Sequence, residues 1–319
     1  MQINSKSLNI GILGKGDFTE NLIQNLQEKK MVGMCCGLHS HPYDELISLR
    51  NYGELEKVAD AVLLFDPSFC LYENLSEILK SCKHVFLGHT SHLSRVQLRK
   101  LASIAREAGV NLQVSNKLRF LNIHAEIKDQ DVEPHIIECS HYVQRKGQDT
   151  QLSLIEDILL PDIDVVLSLA KSRVKSVFAT GVGVLYDDPD VVNARIEFYN
   201  GCNATISASR IADKDVHKIR FFQNNYYYTL NYQNQSLRVV KGTENSEEED
   251  LPRNPPSVDD ETNYHEMVNH NEILEKEIES FYYCIVLGTQ PACNIQDFIE
   301  ARTVADRVVD QLERNFRRK

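Results

Sequence analysis

The chain has 319 residues, of which 42% are hydrophobic and 25% charged, with a net charge of -11. That length suggests two domains of ordinary size in a folded globular protein. The acidic balance and the lack of a basic stripe argue against a nucleic-acid surface, and no apolar run reaches membrane-spanning length.

Leu8–Leu13 is an apolar run that meets a glycine turn at Gly14 and Gly16. A helical pattern with Leu22, Ile23 and Leu26 follows. Strand, tight turn and helix in that order open a dinucleotide-binding unit. One glycine permits the turn, the next lets the backbone approach a pyrophosphate, and the helix start offers N–H groups to the phosphates. The fingerprint is incomplete. Thr19 stands where a third glycine belongs, and Asp17 sits at the helix start, where its charge suits the dipole but opposes a diphosphate. The acid that would bind a ribose, about 20 residues on, is replaced by Cys36. The turn therefore fits either a nucleotide site or a Rossmann-like domain that keeps it for structural reasons.

Further apolar runs fall at Met31–Cys35, Ala61–Phe65, His84–Leu87 and Leu112–Val114, with helical patterns between them. The clearest helix is Leu93–Ala108, closed by Gly109 as a C-cap. This alternation predicts a parallel sheet with right-handed crossovers over residues 1–120. Beyond Phe120 the pattern changes. Ile136–Gln144 reads as a strand and Leu152–Ala170 as a helix. Strand-like runs follow at Val174–Val184, Val191–Tyr199, Ala204–Ser209, Lys218–Phe222, Tyr226–Tyr232 and Leu237–Val240. Residues 121–319 thus form an α+β domain on a largely antiparallel sheet, with a hairpin at Asn200-Gly201. Thr243–Thr262, acidic and proline-containing, reads as a surface loop. Helices at about His265–Leu287 and Ile295–Phe316 close the chain and are candidates to pack back on the first domain.

The order of these pieces resembles the Gfo/Idh/MocA oxidoreductase family. GILGKG is similar to its glycine loop and ADAVLLFDPS to its strand and threonine-proline turn, with Asp66-Pro67 in place of Thr-Pro. CKHVFLGHTSHLS matches the segment of its Glu-Lys-Pro motif, and REAGVNLQVSNKLRF its next strand and Arg-Phe segment. EDILLPDIDVVLSL resembles its Asp-x-x-x-His-x-x-Asp helix. The resemblance implies hydride transfer between NAD or NADP and a sugar or polyol, in a cytoplasmic protein that assembles as a homodimer or homotetramer through the C-terminal sheet. Its cofactor positions here are Gly11, Gly14, Gly16, Asp17, Phe18, Cys36, Asp66, Pro67 and Gly88.

The catalytic positions depart from the family. His89 stands at the lysine, Gly88 at the glutamate and Thr90 at the proline of the Glu-Lys-Pro motif, while Pro161 replaces the histidine. Proline cannot transfer a proton. The matching acids remain as Asp157 and Asp164, seven apart and expected on one helix face. Arg119 matches the arginine facing the substrate; its structural alternative is a salt bridge. His89, assisted by His92 and Asp162, is the candidate acid or base; the alternative is that both histidines are loop residues bonded to backbone or water. Two further functions stay open: a non-catalytic ligand-sensing or regulatory protein (a pseudoenzyme), or a partner subunit of an active dehydrogenase. No cysteine-histidine spacing matches a zinc site, so no metal is expected. Eight cysteines without regular spacing fit reduced thiols in a cytoplasm.

Overall fold

Strands of the first sheet are short apolar runs flanked by helices, which is what a sheet covered on both faces requires. The computed structural model describes residues 7–14, 17–38, 47–49, 52–88, 93–128, 132–144, 153–186, 188–241 and 270–316. It divides into two compact units, Met1–Arg119 with Asn269–Ile299, and Phe120–Val268 with Glu300–Lys319.

In the first unit β1 (Leu8–Leu13), β2 (Val32–Leu38), β3 (Ile47–Leu49), β4 (Ala61–Leu64), β5 (His84–Leu87) and β6 (Leu112–Val114) lie in the order β3-β2-β1-β4-β5-β6. Every pairing is parallel. The order reverses between β1 and β4, the switch point at which sheets of this kind bind ligands beyond their carboxyl ends. Helices α1 (Asp17–Glu28), α2 (Tyr52–Val58), α3 (Tyr72–Lys80) and α4 (Arg95–Ala108) make the crossovers. Ser94 and Gln97 form a reciprocal capping box at the start of α4, and Gly109 closes it in the left-handed conformation (φ 67°). One core layer joins Leu64, Val85 and Leu87 to Leu98 and Leu101. The other joins Ile10, Ile12 and Phe86 to Ile278 and Phe281 of α7 (His270–Leu287). The last long helix but one is therefore part of the first unit, within its core.

The second unit contains α5 (Asn122–Lys128), β7 (Ile136–Gln144), a π-helical segment (Leu154–Leu159), α6 (Leu160–Ala170), β8 (Val174–Val182), β9 (Val191–Phe198), β10 (Asn203–Ala212), β11 (Val216–Gln223), β12 (Tyr226–Asn231) and β13 (Ser236–Lys241). The strands form one sheet, β13-β12-β11-β7-β10-β9-β8, antiparallel except for the β7–β10 pair. Side chains alternate across it. Ile137, Cys139, Ile219 and Phe221 are buried, and α6 packs against β7 and β10. The opposite face shows Ile136 and Phe222, 48% and 37% exposed. Helix α6 is apolar nearly all round, as befits a buried helix. The final helix, α8 (Ile295–Phe316), begins in the first unit and continues in the second.

The sequence pattern did not anticipate β3 or the π-helical segment. The last carries a correction. A regular helix would put Asp157 and Asp164 on one face; the wider π turn changes the rotation per residue, leaving Asp157 exposed and Asp164 only 5% exposed. The acidic segment 243–262 lies outside the described residues.

Candidate functional site

Three strand ends define the candidate site of the first unit. The β1 turn begins at Gly14, with φ 148°, a conformation L side chains rarely adopt. A Cβ there would lie 2.8 Å from the Cβ of Phe65, just past β4. A Cβ on Gly88, just past β5, would lie 2.7 Å from the Phe65 ring. One half-buried aromatic thus explains both glycines. The Phe65 and Asp66 amides both donate to the Leu13 carbonyl, at 2.8 and 3.2 Å, and that of Gly88 to Leu64 at 2.8 Å. The ring rests on Phe86, centroids 6.0 Å apart, and Phe86 on Phe281 at 5.8 Å.

Asp66 caps the turn Pro67–Phe69. Its carboxylate accepts from the Ser68 amide at 2.8 Å and hydroxyl at 2.7 Å, so its charge is directed at its own backbone. Gly14, Asp66, Pro67 and Gly88 therefore do meet at the switch point. Gly11 does not join them: it lies within β1, and a Cβ there would strike Leu55 at 2.9 Å, so its size serves packing against α2. Cys36 is paired in β2 beside Gly11 and Ile47. Asp17 and Phe18 open α1. Gly16, His89 and His92 lie outside the described residues.

The arrangement fits a dinucleotide in outline. The strand order is the one that binds ligands at its switch point, Gly14 and Gly88 lie just beyond β1 and β5, and the Asp66 carboxylate is engaged by Ser68. When bound, a nicotinamide would supply the hydride donor or acceptor.

Arg119 makes bonds within the first unit. Its Nη1 donates to the Ala292 carbonyl at 2.8 Å and to Asp297 at 3.3 Å, fastening the chain after β6 to the start of α8. Close by is an acid that pattern reading missed, Glu277 of α7. Its side chain is fully buried and accepts from the Ser115 hydroxyl and the Asn116 amide, both at 2.8 Å. Burial raises its pKa to about 7, against the lowering effect of those bonds and of Lys117.

Asp157 accepts from the Ser153 amide at 2.7 Å, while Ser153 caps the same segment through Glu156 at 3.2 Å. This exposed acid is a helix cap. Pro161, in the first turn of α6, needs no amide partner there.

The next residue carries the main cluster of the second unit. Asp162 is fully buried, accepting from His141 Nδ1 at 2.8 Å through one oxygen and from His217 Nε2 at 2.7 Å through the other. His141 on β7 and His217 on β11 are direct cross-strand partners. Their rings stack at 3.7 Å, 11° from parallel. Tyr232 stacks on His217 at 4.2 Å, and its hydroxyl meets His124 Nε2 at 2.8 Å. Burial pushes the Asp162 carboxyl up, but the charge and hydrogen bonds of both histidines win and hold it well below the usual carboxylate range. Burial and the Asp162 charge raise the Cys139 thiol and the Tyr232 hydroxyl.

Two histidines and an aspartate so close could be ligands for a metal ion. The ring geometry opposes it. Imidazole lone pairs lie in the ring plane, and two stacked rings aim theirs side by side. One ion between them would lie well outside both planes. Two N–H groups donating to the two oxygens of one carboxylate satisfy the same geometry without strain. Sequence reading named Asp162 as an assistant to His89 and missed both of its actual partners, which only the sheet register brings together.

No family model matches the chain. Among curated proteins it is similar to UDP-N-acetylglucosamine 3-dehydrogenase of Acidithiobacillus ferrooxidans, 26% identical over 181 residues, 56% of this chain and 58% of that protein. The match thus spans less than two thirds of the relative's length. The solved structure of that dehydrogenase superposes with a TM-score of 0.79 at 18% identity, covering 97% of this chain and 98% of that one. Levoglucosan dehydrogenase, in complex with NADH and levoglucosan, gives 0.77 at 13% identity, covering 97% and 98%. Among the described residues, no helix is long and apolar enough to cross a membrane. The structural neighbours are dehydrogenases of the Gfo/Idh/MocA type, and their fold is the fold of this chain.

Proposed function

We propose that this protein binds a nicotinamide dinucleotide beyond β1, β4 and β5 and interconverts an alcohol and a ketone on a sugar-like substrate. The observation that carries this reading is the strand order, which reverses between β1 and β4 and brings Gly14, Asp66 and Gly88 together just beyond the carboxyl ends of β1, β4 and β5. The kinship with a dehydrogenase of a nucleotide sugar, and the fold shared with one solved with NADH and a sugar, support both the cofactor and the substrate class. Pro161 and His89 mark the site as atypical, since neither is the residue the family resemblance leads one to expect there.

The test is thermal unfolding with NAD, NADH, NADP and NADPH, each followed by turnover assays with UDP-N-acetylglucosamine and free sugars. A ligand at 100 times its dissociation constant stabilises by about 2.7 kcal/mol. Stabilisation by a nucleotide with turnover supports the reading. Stabilisation with no turnover supports a ligand sensor instead, the role that Pro161 would favour. Four flat curves remove both. The open face of the second sheet, with Lys218, Arg220 and Arg238 around a pocket, is our candidate for the contact between copies of this chain. A monomer by light scattering would rule that out.

A further inference from the structure

Helix α7 packs on one face of the first sheet and carries Glu277 and Phe281 four residues apart, on one side of the helix. Each reaches the carboxyl end of that sheet by its own route. Phe281 packs on Phe86, ring centroids 5.8 Å apart, and Phe86 on Phe65 at 6.0 Å. Phe65 is the residue that leaves no room for a Cβ at Gly14 or Gly88. Glu277 accepts from the Ser115 hydroxyl and the Asn116 amide, both at 2.8 Å. The Ser115 amide in turn donates to the Leu87 carbonyl at 2.8 Å, one residue before Gly88. Through Ser115, two hydrogen bonds connect the Glu277 carboxyl to the end of β5.

We infer that Glu277 is a positioning residue for the nucleotide proposed above, and that nucleotide binding is linked to the proton on its carboxyl. The inference rests on that reading and adds a regulation of the same site. All of its parts lie in the first unit.

Glu277 is fully buried, and burial lifts its pKa to about 7 against its two hydrogen bonds and Lys117. Lys117, exposed in the turn after β6, is the charged group whose field reaches it. The other charged groups around α7 are engaged elsewhere. Glu275 bonds Asn25, Glu279 bonds Lys29, and Arg119 bonds the Ala292 carbonyl and Asp297. On β5, His84 accepts from the Asn111 amide at 2.9 Å, at the opposite end of the strand.

A dinucleotide brings two phosphate charges to the strand ends and displaces water from them. Both effects disfavour another anion close by, so the carboxyl holds its proton more tightly in the complex. Linkage is reciprocal: the protonated protein binds the nucleotide more tightly. The neutral acid also leaves the Lys117 charge uncompensated, which adds to the attraction for an anionic ligand. Affinity is therefore highest below about pH 7 and falls as the pH rises through that value. A purely structural anchor would make the stability of the fold depend on pH but not the Kd of the folded chain.

The test is calorimetric titration of the intact, folded protein with NADH, or with NADPH should only that bind. It is run at pH 6, 7 and 8, and at pH 7.5 in buffers of different ionisation enthalpy. A rise of about one in the Glu277 pKa on binding makes Kd about fivefold weaker at pH 8 than at pH 6, with uptake of about half a proton per nucleotide at pH 7.5. Glu277→Gln should lose that proton uptake and hold Kd within about twofold from pH 6 to pH 8. Glu277→Ala, which removes both acceptors, should weaken binding at pH 6 by about tenfold, a loss that glutamine recovers. A parent Kd constant within about twofold over this range, or a proton uptake that persists in Glu277→Gln, would overturn the linkage. Parent-like binding by Glu277→Ala at pH 6 would overturn the positioning role. Should the variants not fold, the Kd profile and proton uptake of the parent decide. Failure of both nucleotides to bind at every pH removes the functional reading itself, an outcome distinct from these.

Discussion

Glu277 should make the first unit less stable as the pH rises through neutrality. Its carboxyl is fully buried and its pKa stands at about 7 rather than 4.5. Below pH 4.5 both folded and unfolded chains hold the proton, and the folded state has the full advantage. Between 4.5 and about 7 the unfolded chain releases the proton while the folded chain keeps it, so stability falls with pH. Above about 7 the advantage is gone, a loss on the order of 3 kcal/mol. Glu277→Gln isolates the effect. The Glu277 carboxyl accepts from the Ser115 hydroxyl and the Asn116 amide, and a glutamine can keep both contacts without a charge, its carbonyl accepting from Asn116 and its NH2 donating to the Ser115 oxygen. Urea unfolding at pH 5, 6, 7 and 8 should show the two proteins nearly equal at pH 5. The variant should be the more stable by up to about 3 kcal/mol at pH 8. A variant weaker than the parent at pH 8, or a difference that does not change with pH, would refute the reasoning.

Three further outcomes can be checked by denaturant titration. Gln113 of β6 is fully buried, and among the described residues neither polar atom of its side chain has a hydrogen-bond partner; Gln113→Leu should stabilise by about 1–3 kcal/mol. Gly14→Ala and Gly88→Ala should each cost about 1–3 kcal/mol through overpacking. Phe65→Ala should partly relieve the Gly88 variant, whose closest clash is with the ring, but not the Gly14 variant, whose clash is with the Cβ that alanine retains. Asp190 is fully buried, accepts from the amides of Val184, Leu185 and Tyr186, and pairs with Arg210 at 2.8 Å. Asp190→Ala should cost about 3–5 kcal/mol, because it strands a charge and three donors. These bonds outweigh burial and lower the Asp190 pKa. Its stabilisation is therefore present above the ordinary carboxylate range and lost as pH falls through the lowered value.

Local chemistry made much of the fold legible. The run Leu8–Leu13 before Gly14 signals strand and turn because only glycine suits that φ. Ser94, Gln97 and Gly109 bracket α4 through caps written in adjacent residues. Alternation from Val174 onward gives strands because one face of that sheet is buried. What escaped is set at longer range. The three-residue β3 is too short to show a period, and nothing in the run Leu154–Leu159 distinguishes a π turn from an ordinary helical one. The histidine pair is the plainest case. His217 lies one residue before the run read as a strand, and it meets His141 only because β11 pairs with β7 in one particular register. Neither neighbour in sequence announces the other, and nothing local marks Asp162 as the carboxylate between them.

Calorimetric titration of the purified protein with NADH, and with NADPH in parallel, tests the central claim most directly. The account predicts saturable binding of one nucleotide per chain for at least one of the two, abolished by Gly14→Val. No saturable binding of either by a folded protein would contradict it.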